Sequence, residues 1–257
     1  MIIERILANN PGVFTGPGTN TWILDDGAGT VVVIDPGPVD TKHGRVIVDR
    51  IGKRSVAAVL VTHTHIDHAP LANPLATDLG VPAIGYAPGP HFEPDERLMD
   101  GATLDVGNLG LMVVHTPGHA DDHLCFRAEN ALFTGDHIMG GSSVMVDDMG
   151  PYLRSLEKLK GKGLERLHPG HGDEMDEPDA VIDWYLAHRR QRHEQVYRAI
   201  TDGRSTVSEI VELIYSDVDS ALHPLAARSV SAHLTLLSDE GRITYEGEMV
   251  VVTPDLP

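Results

Sequence analysis

Over the first 175 or so residues the chain runs in short apolar stretches cut by Gly, Pro and Asp. The stretches predict strands at 2–7, 21–24, 30–35, 57–62, 110–115, 123–127, 131–134 and 164–168. Between them the apolar period lengthens to that of a helix. Residues 40–51 carry Val46, Ile47 and Ile51 at helical spacing, 69–79 form a second helical stretch, and 151–159 place Leu153, Leu156 and Leu159 along one stripe. Strands mixed with helices of this length predict an α/β or α+β domain. From Pro178 the pattern becomes helical. Residues 179–200 combine a partly apolar stripe (Val181, Trp184, Tyr185, His188, Val196, Ile200) with a face bearing Arg189, Arg190, Arg192 and Arg198. After Thr201-Asp202-Gly203 come two helical stretches, 207–215 and 225–237, and two short strands, 242–246 and 249–253, joined through Gly247. Helix, helix, hairpin in this order is similar to a winged-helix unit. The chain therefore divides into a core at 1–177, a linking helix at 178–201 and a small terminal domain at 202–257.

Composition narrows the partners. The 257 residues hold 20 Lys+Arg against 38 Asp+Glu, a net charge of −18. Non-specific attraction to nucleic acid is electrostatic, so a chain this acidic is expected to be repelled by bulk phosphate and by anionic membranes. The single cysteine, Cys125, can close no intrachain disulfide, which fits a reducing compartment. The first residues lack a basic stretch followed by a sustained apolar one, and no run approaches the ~20 apolar residues of a membrane span. A cytoplasmic location is the expectation. Histidine is the anomaly: there are 15, about twice the ordinary usage.

Several of them are placed. The strand at 57–62 runs directly into His63-Thr64-His65-Ile66-Asp67-His68, four potential metal ligands within six residues besides the intervening Thr and Ile. Three further turns follow strands in the same way: Thr116-Pro117-Gly118-His119, Gly135-Asp136, and His168-Pro169-Gly170-His171-Gly172. Glycine in each lets the backbone turn sharply and sets a His or Asp just beyond a strand end, where binding sites of sheet proteins collect. Imidazole and carboxylate suit Zn²⁺, Fe and Mn²⁺. Five histidines and two aspartates suffice for two metals with a shared carboxylate.

The ordered motifs THTHIDH, TPGH, TGD and HPGHG resemble those of the metallo-β-lactamase fold superfamily. The resemblance implies an αββα sandwich, one metal held by His63, His65 and His119, a second by Asp67, His68 and His171, and Asp136 bridging both. It extends through NPGVFTGPGTNTWIL, VIDPG, TPGHADDH and the tail, where the chain is most similar to the branch containing the mitochondrial β-lactamase-like endoribonuclease. Glyoxalase II-type hydrolases share the ligand motifs. Two divalent cations sharing a water generate hydroxide near neutral pH and polarise the scissile group, so no Ser or Cys nucleophile is needed. Asp67 is the candidate catalytic residue, orienting that hydroxide as well as holding its metal. Asn20, His137 and Ser143 are candidate substrate contacts.

The other histidines are read as surface or satisfied core groups, His123 and His168 among them. Asp121 and Asp122 are read as caps. The basic face of 189–198 is read as ion-paired rather than phosphate-binding. The tail from Asp202 onwards has three arginines, no lysine and ten acids, a net of −7. A DNA-reading helix or wing needs cations, so duplex DNA is excluded as an expected partner, and the tail is read as packing, dimerising a homodimer or covering the active site. The leading expectation is a dinuclear-zinc hydrolase of a small ester, thioester or lactone. Alternatives are a single-stranded RNA endonuclease, an iron-dependent persulfide dioxygenase and a winged-helix nucleic-acid-binding regulator.

Overall fold

A computed structural model describes residues 1–141, 143–247 and 249–252, so the last residue of the strand expected at 249–253 lies outside the described residues. Two units emerge: one of 1–117, 121–144 and 161–179, the other of 118–120, 145–160 and 180–257.

The first unit contains two six-stranded sheets. One orders β1 (Ile2–Leu7), β2 (Asn20–Asp25), β3 (Thr30–Ile34), β4 (Ser55–Leu60), β5 (Ala83–Gly85) and β6 (Glu96–Arg97) side by side. The other orders β12 (Met175–Asp176), β11 (Arg166–Pro169), β10 (Ala131–Gly135), β9 (Leu124–Ala128), β8 (Leu109–His115) and β7 (Thr103–Val106). Side-chain alternation accounts for the layering. Val32 and Ile34 of β3 join Leu60, Leu111, Phe126 and Phe133 in one core cluster drawn from both sheets. Their neighbours Val31 and Val33 join a second cluster with Ile47 and Ile51 of α1 (Thr41–Ile51) and Leu75 of α2 (Ala72–Leu79). A strand buried on both faces reads as a continuous apolar run, as Thr-Val-Val-Val-Ile does. β8 is one-sided: Leu109, Leu111 and Val113 lie in the core while Gly110 and Met112 are exposed. A one-residue slip would expose all three, at about 1.5–3 kcal/mol for each large side chain, so its register is fixed.

Asp40 caps α1, its carboxylate accepting from the backbone amides of Lys42 and His43. The buried face of α1 is His43, Ile47 and Ile51, whereas Val46, expected in the apolar stripe, is exposed.

The second unit carries α3 (Met149–Leu159), most of α4 (Pro178–Thr201), α5 (Val207–Ile214), α6 (His223–Asp239) and the hairpin β13 (Ile243–Glu246) with β14 (Met249–Val252). Val196 and Ile200 of α4, Ile210 and Val211 of α5, Val230, Leu234 and Leu237 of α6, and Ile243 and Val250 of the hairpin form its core. α5 starts at a capping box in which the Thr206 side chain accepts from the Glu209 amide and the Glu209 carboxylate accepts from the Thr206 amide. On α4, Arg190 pairs with Glu157 at 2.6 Å, while Arg189 and Arg192 lie over the rings of Tyr152 and Tyr215. His233 of α6 is fully buried, and among the described residues neither of its ring nitrogens has a hydrogen-bond partner. Among the described residues no helix is long and apolar enough to cross a membrane.

Candidate metal centre

Four strand ends deliver the expected donors. β4 stops at Leu60 just before the turn with His63, His65, Asp67 and His68; β8 ends ahead of His119, β10 ahead of Asp136, and β11 ahead of His171. β8 and β10 both run antiparallel to β9, and β11 runs parallel to β10, so their C-terminal ends share one edge of the sheet.

Two donor groups result. Ligating atoms of Asp67, His68, Asp136 and His171 all lie within 4.8 Å of one another, and those of His63 and His65 form a second set. In the first group His68 Nε2 is 3.2 Å from His171 Nε2 and 3.4 Å from Asp136 Oδ1. His171 Nε2 is 3.1 Å from Asp67 Oδ2 and 3.4 Å from Asp136 Oδ2. In the second, His63 Nε2 stands 2.9 Å from His65 Nδ1.

The opposite ring nitrogens are anchored. His68 Nδ1 donates to Asp35 Oδ2 (2.9 Å), His171 Nδ1 to the Gly18 carbonyl (3.2 Å) and His119 Nδ1 to the Met145 carbonyl (2.7 Å). His63 Nδ1 meets Thr62 Oγ1 at 3.0 Å, and that hydroxyl in turn donates to Asp35 Oδ2 at 2.7 Å. Such contacts fix the tautomer and aim of a metal-binding imidazole. The donor set passes a test of fit for divalent metal. Two donors ~2.0–2.1 Å from one cation stand about 2.9–3.4 Å apart at tetrahedral or right angles, and the spacings above cluster there.

The electrostatics agree. Burial pulls the His171 imidazole down, but hydrogen bonds to Asp136 and Asp67 outweigh it and raise it to about 9. Burial also works against the charge on His68, yet Asp136 and Asp35 hold it well above its ordinary value. Asp136 is held well below the usual carboxylate range, His68 and His171 overcoming its burial. A buried site that draws protons onto its imidazoles carries an excess of negative charge that a cation would balance.

Backbone geometry keeps the donors close. Gly170 has no room for a side chain: a Cβ there would stand 2.6 Å from Asp136 Oδ1 and 2.7 Å from His68 Cε1. Asp35 is a non-glycine residue at φ 51°, held there because it also accepts the Thr62 amide at 2.7 Å. Its role was not foreseen, although VIDPG places it at the end of β3 as the other turns place theirs. Asp122 accepts the Thr64 amide at 2.9 Å and so braces the first histidine turn.

The remaining candidates belong to neither donor group. Asn20 is fully buried and spends both amide hydrogens on the carbonyls of Pro169 and Gly172, at 3.0 and 2.8 Å, which pins the turn carrying His171. His137 is fully buried and Ser143 is exposed. His168 belongs to neither donor group; its ring lies against Trp22 and Phe133, with Nδ1 2.8 Å from Glu174.

Two mixed sheets with a His/Asp donor cluster on one edge, followed by a helix–helix–hairpin unit, define a metal-dependent hydrolase. The chain belongs to the metallo-beta-lactamase superfamily, whose model matches residues 14–171; the beta-lactamase associated winged helix domain matches 206–249. It is 31% identical over 263 residues to the beta-lactamase-like protein 2 homolog of Drosophila melanogaster, covering 94% of this chain and 89% of that one. It is also 31% identical over 268 residues to an atrochrysone carboxyl ACP thioesterase of Aspergillus chevalieri, covering 95% and 83%. A metallo-beta-lactamase family protein from Thermus thermophilus shares the fold with a TM-score of 0.81 at 21% identity, covering 97% and 98%.

Proposed function

We propose that this hydrolase is dinuclear, that zinc is its metal, and that its substrate is a small ester, thioester or lactone, with an acyl thioester first among these. The clustering of Asp67, His68, Asp136 and His171, with the His63 ring 4.3 Å from that of His68, carries the reading, and the thioesterase name of a relative aligned along 95% of the chain supports the substrate class. In this proposal His63, His65 and His119 would hold one cation, Asp67, His68 and His171 would hold the other, and Asp136 would serve both. Divalent cations so placed supply Lewis acidity and a water-derived nucleophile at neutral pH. The protein's own work is orientation. Asp35, Gly18 and Met145 aim the imidazoles, and Asp67, more exposed than Asp136, would orient the attacking water. The net charge of −18 favours a small substrate over a polyanion.

The test is a parallel screen of acyl thioester, lactone, phosphodiester and short single-stranded RNA substrates with metal-quantified protein. Two zinc per chain with thioester or lactone turnover is the expected result. One iron per chain with oxygen uptake, or cleavage confined to RNA, would overturn it.

A further inference from the structure

We propose that His123 is a positioning residue for the metal centre, fixing Asp136 from behind through a single acceptor nitrogen; this rests on the reading of Asp136 as a ligand. His123 belongs to neither donor group and is fully buried. The Asp136 backbone amide donates to its Nε2 at 3.1 Å. An amide can only donate, so Nε2 carries the lone pair and the ring proton sits on Nδ1. That nitrogen faces Thr116 Oγ1 at 2.9 Å, and the Thr116 amide donates to the His123 carbonyl at 2.9 Å. The turn between β8 and β9 thus closes on itself and holds the ring in one tautomer.

The end of β10 is pressed against this ring. Gly135 has φ 46°, and a Cβ on it would stand 2.7 Å from both His123 Nε2 and Thr62 Oγ1. The same imidazole lies 5.0 Å, centroid to centroid and tilted by 31°, from the ring of His63. One side chain therefore touches a member of each donor group: the backbone of Asp136 and the ring of His63. Without the acceptor, a buried amide loses its partner, and the carboxylate next to it loses its fixed direction.

The test measures zinc affinity by competition with a chromophoric chelator, and zinc content, in the wild type, His123→Leu, His123→Gln and Asp136→Ala. The urea midpoint of each chelator-stripped protein reports folding separately. Gln can set its Oε1 near the place of Nε2 and restore the acceptor. His123→Leu is expected to weaken binding about 10- to 100-fold, the range for partners of metal ligands, and His123→Gln to stay within about fivefold of wild type on the same scale. Wild-type affinity in His123→Leu, or equal loss in Leu and Gln variants, overturns the proposal. If the Leu variant does not fold, Thr116→Val tests the same link by removing the partner of Nδ1, and unchanged affinity there overturns it. Asp136→Ala separates the two readings. Loss there with none in His123→Leu sinks the positioning role alone, whereas undiminished zinc in Asp136→Ala sinks the ligand assignment beneath it.

Discussion

Replacing His233 by Leu should stabilise the protein, and by more at acidic pH than at neutral. The ring is buried in α6 with both nitrogens unpartnered. Burial, and then the nearby His193, Arg189, Arg192 and His188, push its pKa down to about 2. The His193 ring lies 5.6 Å away, and itself meets Glu240 at 3.1 Å. The folded value lies below the unfolded one, near 6.5, so the unfolded chain binds a proton that the folded chain refuses. Stability is lost as pH falls below about 6.5. At pH 5.0 the loss is about 1.5 pH units at 1.36 kcal/mol each, or roughly 2 kcal/mol. Leucine removes this term along with two unpaired polar atoms. Urea unfolding of wild type and His233→Leu at pH 7.5 and 5.0 should show the gap between them widen by about 2 kcal/mol. Metal loss at low pH affects both proteins alike and cancels in the comparison. A gap that stays constant, or narrows, would mean that His233 is protonated in the folded state, and the reasoning would fail.

Other outcomes are as specific. Asp136→Ala should lower metal content at both positions and His119→Ala mainly at one, so equal full occupancy in both variants would contradict the partition. Gly170→Ala forces a methyl group against Asp136 and His68; zinc affinity should fall at least about tenfold with far-UV dichroism unchanged, and wild-type affinity would show that the turn yields. Thr206→Ala removes the capping box of α5 and should cost about 1 kcal/mol in urea unfolding, with no change in metal content.

The grouping of the candidate donors was legible because each occupies a local pattern, a strand followed by a glycine turn, and such patterns survive without knowledge of the fold. Their supports were not. Asp35 reaches His68 across 33 positions and Gly18 reaches His171 across 153, and no spacing rule connects such pairs. Strands long enough to alternate, such as β8, were equally readable. β6 and β12 are two residues each, and β5 only three; a period of two cannot be detected over so short a run, so the pattern predicts no strand around Ala83–Gly85 and Glu96–Arg97. Val46 was misplaced because Ile47 and Ile51 already fix the buried stripe of α1, and its inner face is completed by a histidine. His43 Nε2 lies 2.8 Å from the Thr21 hydroxyl and the ring is buried, so a polar residue took a position that hydropathy assigned to valine.

The donor groups begin at His63 and are complete only with His171. During synthesis the first turn emerges more than a hundred residues ahead of the last, so early donors wait exposed while the second sheet is still being made. A cation captured early meets an incomplete set and can leave again; one captured after β11 has paired with β10 fastens segments from both sheets to one another. The proposed metal would then serve this chain as a late clasp, and its removal should speed unfolding of the sandwich as well as silence its chemistry.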